Sequence, residues 1–152
     1  MTTQSSASDA SLFRYSPIAL FLAGALSVLL FQQGVLAILH AAGFVPSPPF
    51  SYGKTQPFGV PQIWSFAFWG GVWGLVYGVA EKHFPDNAGY WIMAILFGLL
   101  PTLVLWFIVF PLQGVPMAAG WNTALMAVHV VIHCAWSLGT GILLRLPRTS
   151  AY

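Results

Sequence analysis

The sequence predicts an all-α integral membrane protein, a four-helix bundle with both termini in the cytoplasm, and three observations carry that prediction. Only 5% of the 152 residues are charged, while 58% are apolar, against roughly 25% charged in an ordinary soluble domain. Five basic and three acidic side chains cannot cover the surface of a water-facing globule of this size. Four stretches, 17–42, 61–80, 90–112 and 121–144, contain no Asp, Glu, Lys or Arg, and each is near the roughly 20 residues that cross the hydrocarbon core as a helix. No run alternates apolar and polar residues over the roughly ten positions of a barrel strand.

Taken in order, residues 1–16 form a cytoplasmic tail that opens with MTTQSSASDA, too polar to offset the entropy of ordering. The first helix starts at Pro17, where a first turn tolerates proline. Its apolar run exceeds the roughly 7 to 15 residues of a signal-peptide core, so a retained helix is expected. The 43–60 connection, GFVPSPPFSYGKTQPFGV, mixes prolines with aromatic rings and is expected to be an extended outer loop resting on the bundle. A sharper reading makes it a lid over an outward-facing cavity.

The second helix, 61–80, carries Gly70, Gly74 and Gly78, two overlapping GxxxG steps that let another helix approach closely. Packing within the chain is favoured over oligomerisation, and Ala19, Ala23 and Ser27 of the first helix are the expected partner stripe. Trp69, Trp73 and Tyr77 repeat the same spacing beside the glycines and read as packing or lipid contacts. The third helix, 90–112, contains Pro101, which predicts a kink. The fourth, 121–144, aligns Asn122, Met126, His129, His133, Trp136 and Thr140 on one face.

Counting inward from the outer boundary places Gln33, Thr102, His129 and His133 in one layer, roughly 12 to 18 Å deep at 1.5 Å per residue. Ionisable groups at such depth turn toward the bundle interior or a water-filled cavity. The plain reading is a set of hydrogen bonds fixing helix register, worth about 0.6 kcal/mol apiece. A metal site lacks a carboxylate within the membrane to complete its shell. Cys134, the single cysteine, points about 100° away from His133, excludes an internal disulfide, and reads as a small hydrophobe. Two histidines on one helix cannot ligate opposite faces of a haem, and His40 is too shallow to oppose His129. A single axial histidine, or a quinone or pigment head group bonded to His129 or His133, stays open.

Orientation follows the basic residues. Arg14, Lys82, Arg145 and Arg148 lie on one side and Lys54 on the other, which predicts that both termini, together with the Glu81–Ala88 loop, face the cytoplasm. A net charge of +2 without a basic cluster excludes nucleic acid as a partner.

From Val79 to Gly114 the chain reads VAEKHFP, then Tyr90-Trp91, an apolar span and FPLQG, followed by a histidine-bearing last helix. In these blocks it resembles the YagU-type multi-span proteins of the bacterial inner membrane. The resemblance covers about the last 75 residues and implies that location, with a histidine near His129 fitting the pattern. It implies no catalytic residue.

The leading functional expectation is a non-catalytic structural or interaction subunit, or a homo-oligomer, with the lipid bilayer as its solvent, no resident cofactor and no metal. The first alternative is a small carrier built on the His129/His133 layer. The second is a cofactor- or pigment-binding accessory subunit of a membrane redox complex.

Overall fold

The structure, a computed structural model, describes residues 13–149; the polar 1–10 stretch lies outside the described residues. Four helices are long and apolar enough to cross a membrane. They are α1 Pro17–Ala41, α2 Gln62–Glu81, α3 Gly89–Leu112 and α4 Thr123–Thr149. No strand occurs among the described residues, only an isolated bridge between Lys54 and Pro61.

Local chemistry sets the helix starts. The Ser16 hydroxyl accepts the Ala19 N–H at 3.2 Å, with Pro17 in the first turn of α1. Asn122 Oδ1 accepts the Leu125 N–H at 3.1 Å at the start of α4. Trp121, expected to open that helix, instead ends a short left-handed turn in which residues 118–121 all have positive φ. Two helices carry π turns, Val28–Gln32 in α1 and Leu105–Val109 in α3. Around Pro101, the regular α3 ladder is interrupted at Gly98 before the proline and widened in the π turn after it.

Helix α1 packs closely on α2 and α4, and α4 on α3. Between α1 and α2 the backbones nearly touch. A Cβ on Gly74 would strike the Leu20 carbonyl and lie 3.2 Å from Gly24 Cα, and one on Gly78 would meet the Leu20 side chain. The partner stripe is therefore Leu20, Gly24 and Val28, one position along from the expected Ala19, Ala23 and Ser27. Gly24 permits a closer backbone approach than an alanine does. Ser27 turns instead to α4, where its hydroxyl donates to the Trp136 carbonyl at 2.6 Å while the Trp136 indole donates to the Gly24 carbonyl at 2.9 Å. Gly98 of α3 rests against the His133 carbonyl and Cys134 of α4.

Helices α2 and α3 meet through rings, Tyr77 on Phe97 at 5.1 Å and Trp73 on Phe97 at 6.5 Å. A core of Leu20, Ala23, Tyr77, Phe84, Tyr90, Ala94 and Leu144 fills the end that carries the 82–88 loop, the terminus end of the bundle. Phe13 and Tyr15, expected in the tail, pack against this core. At the opposite, loop end, Trp64, Phe68 and Trp69 of α2 are exposed, and so are most residues from Trp121 to Ala127 of the fourth-helix region.

Candidate functional site

Trp136 and Thr140 are almost fully buried, and the α4 face that buries them continues toward the loop end through His133 and His129, both half-buried. Each imidazole is held by α3 through its Nδ1 atom. His133 Nδ1 lies 2.8 Å from Thr102 Oγ1, and that hydroxyl also lies 2.8 Å from the Gly98 carbonyl. The Trp106 indole donates to His129 Nδ1 at 3.1 Å. Phe110 packs edge-on against the His129 ring at 5.5 Å.

These contacts define where the protons sit. A threonine hydroxyl has one hydrogen, and a carbonyl can only accept. The Thr102 proton therefore goes to Gly98, and His133 Nδ1–H donates to the Thr102 lone pair. In the neutral ring His133 Nε2 is then a bare acceptor. An indole N–H only donates, so His129 Nδ1 is bare and its proton sits on Nε2. Neither Nε2 has a hydrogen-bond partner among the described residues.

Of the four residues expected in one layer, Thr102 and His133 are in direct contact, and His129 joins them on the same helix face through α3. Gln33 does not join them. It is buried, and its Oε1 accepts the Phe50 N–H at 2.7 Å. Phe50 has a left-handed φ of 52°, an uncommon conformation for a bulky residue, and Gln33 pins it. Further ties hold the 43–60 connection: His40 Nδ1 donates to the Val45 carbonyl at 2.9 Å, and the Gln62 and Ile63 N–H groups donate to Gly53 and Ser51. The connection is docked on the helix ends.

A second polar locus, at the terminus end, was not expected from the sequence. Glu81, placed in the loop by its charge, is the last residue of α2 and is fully buried. Neither carboxylate oxygen makes a hydrogen bond among the described residues, and Arg14 Nη1 approaches Oε1 at 3.6 Å. Arg14 also donates to the exposed Asp86 at 3.0 Å. Partial burial works against the Arg14 charge, but Glu81 and Asp86 outweigh it and hold its proton more firmly than usual. Arg145 stacks on the Tyr90 ring at 3.3 Å and approaches Asp86 at 3.8 Å. The Tyr77 and Tyr90 hydroxyls, 3.2 Å apart, sit over Gly141, which leaves room for them.

Grooves flank the α1–α4 pair. One, of about 320 Å³ and lined by apolar side chains, lies among Leu39, Phe44 and the Ala124–Val131 face; another, of about 520 Å³, runs from Arg14 and Tyr15 along Leu22 and Leu26. Among the described residues no three His, Cys, Asp or Glu side chains converge. The fold and the polar layer together define a small helical protein of the multi-pass membrane class. Comparison with family models, curated proteins and solved structures gives no match.

Proposed function

We propose that this chain is a multi-pass protein of the bacterial inner membrane that holds a small membrane-soluble molecule against His129 and His133, as a binding or accessory subunit and not as a catalyst. The observation that carries this reading is the pair of Nε2 atoms. Each ring spends its Nδ1 atom on α3, and each leaves a polar nitrogen at membrane depth without a partner among the described residues. A polar group in an apolar medium costs a few kcal/mol unless it is paired, so a bonded occupant stabilises this face.

The test is mass analysis of protein purified gently from the membrane in which it is made. A small molecule should co-purify with the wild type and be depleted in His129→Ala and in His133→Ala, with the helical content unchanged. A folded wild type that carries no small molecule, or equal retention in both variants, would overturn the reading.

One observation favours a second reading, a structural or interaction subunit. Gly70, Gly74 and Gly78 face α1 of their own chain, so association would use another surface. The largely exposed 121–127 segment, with Val131 beyond it, supplies one.

A further inference from the structure

We infer that the His129–His133 pair takes a molecule whose head group is a hydroxyl, a membrane-soluble quinol or other phenol, in preference to the corresponding carbonyl compound. This rests on the binding reading proposed above and deepens it.

Hydrogen-bond direction selects the head group. Thr102 passes its only proton to Gly98 and so receives the His133 Nδ1 proton. Trp106 gives its only proton to His129 Nδ1. The two free nitrogens therefore differ in kind: Nε2–H of His129 donates and Nε2 of His133 accepts. Residues four apart on a helix have Cβ atoms about 5–6 Å apart. Two hydrogen bonds of about 2.8 Å sharing one oxygen span about 5 Å. A single hydroxyl can serve both rings, its oxygen accepting from His129 and its hydrogen donating to His133.

Head groups that only accept or only donate leave one nitrogen unmatched. A carbonyl satisfies His129 and presents no hydrogen to His133. A carboxylate also only accepts, and sets its charge against the His133 lone pair. An ammonium satisfies His133 and opposes the His129 N–H. A metal ion could take His133 alone, because His129 carries its proton on the outward nitrogen for as long as Trp106 bonds it. The partly exposed Phe110 ring beside His129 supplies flat apolar surface suited to an aromatic ring bearing the hydroxyl.

The test is calorimetric titration of the full chain in lipid nanodiscs with decylubiquinol and, separately, with its oxidised form decylubiquinone. The quinol should bind about tenfold or more tightly than the quinone, the cost of leaving one polar group unpaired. Thr102→Val frees His133 to exchange its tautomer, so it should bring the two affinities within about twofold, and Thr102→Ser should restore the preference. Helical content by circular dichroism checks that each variant folds. Equal affinities in the wild type, or a preference for the quinone, would overturn the hydroxyl inference while the binding reading stands. If neither probe binds but another molecule co-purifies, a hydroxyl head group on it supports the inference and any other head group overturns it. If neither probe binds and nothing co-purifies, the binding reading itself falls.

Discussion

At the scale of single residues the least expected feature is Glu81. In the sequence it precedes Lys82 and His83 and reads as a loop charge. Its burial depends on Arg14, whose position is set only when residues 13–16 pack on the core. No local pattern links residues so far apart in sequence. By contrast, His129 and His133 are legible, because two ionisable groups four apart in an apolar helix stand out by composition alone. The Glu81 pair makes a specific prediction. Removing one member of a buried ion pair leaves an uncompensated charge, at a cost of about 3–5 kcal/mol. Arg14 is partly exposed, which reduces the loss toward the lower end of that range or below it. Arg14→Ala should therefore destabilise the fold clearly, and adding Glu81→Gln should recover much of the loss. Asp86→Asn, at a side chain 78% exposed, should change stability by less than about 1 kcal/mol. Reversible unfolding in mixed micelles measures all three. If the double variant is no more stable than Arg14→Ala, the Glu81 charge is not what Arg14 compensates.

At the scale of helices, regular elements are legible in the sequence and irregular ones are not. The inner part of the α4 face is legible because α4 keeps one period there, so a spacing of four residues places Trp136 and Thr140 together in the core, whereas Asn122 lies before the helix in extended backbone and is exposed. In α1 the π turn at Val28–Gln32 adds a residue to a turn and rotates the rest of the helix. Gln33 turns to the outer connection, where its Oε1 accepts from the Phe50 N–H. The π turn has no composition signature, so counting at a constant rise could not detect it. The glycine stripe survives because GxxxG depends on spacing within one regular helix. Its energetics can be tested against an internal control. A Cβ on Gly74 meets backbone atoms of α1, which cannot swing aside, whereas one on Gly34 meets nothing within 4 Å. Gly74→Ala should cost about 1–3 kcal/mol as an overpacked contact. Gly34→Ala should be neutral or slightly stabilising, since alanine is the better helix former. Equal effects in the same unfolding assay would refute close α1–α2 packing at Gly74.

At the scale of the whole molecule, the four candidate spans among the described residues are expected to place residues 13 and 149 on one side of the membrane, and the basic residues predict which. Arg14, Lys82, Arg145 and Arg148 share the terminus end while Lys54 stands alone at the other. A bias of this kind in short loops sets orientation during insertion, with the richer side cytoplasmic. Two exposed positions report on it: Phe58, 87% exposed in the outer connection, and Asn87, exposed in the 82–88 loop. In a Cys134→Ala background, which removes the single native thiol, Phe58→Cys should react with a membrane-impermeant maleimide added to intact spheroplasts. Asn87→Cys should react only after the membrane is opened. The reverse pattern would put the termini outside, and labelling of both from one side would mean that one of the four helices does not cross. The result also bears on the histidine layer, because His129 and His133 lie in the loop-end half of α4. With the expected orientation, the proposed ligand would sit nearer the outer leaflet, separated from the cytoplasm by the Tyr77–Tyr90 core, and would exchange with molecules dissolved in that leaflet.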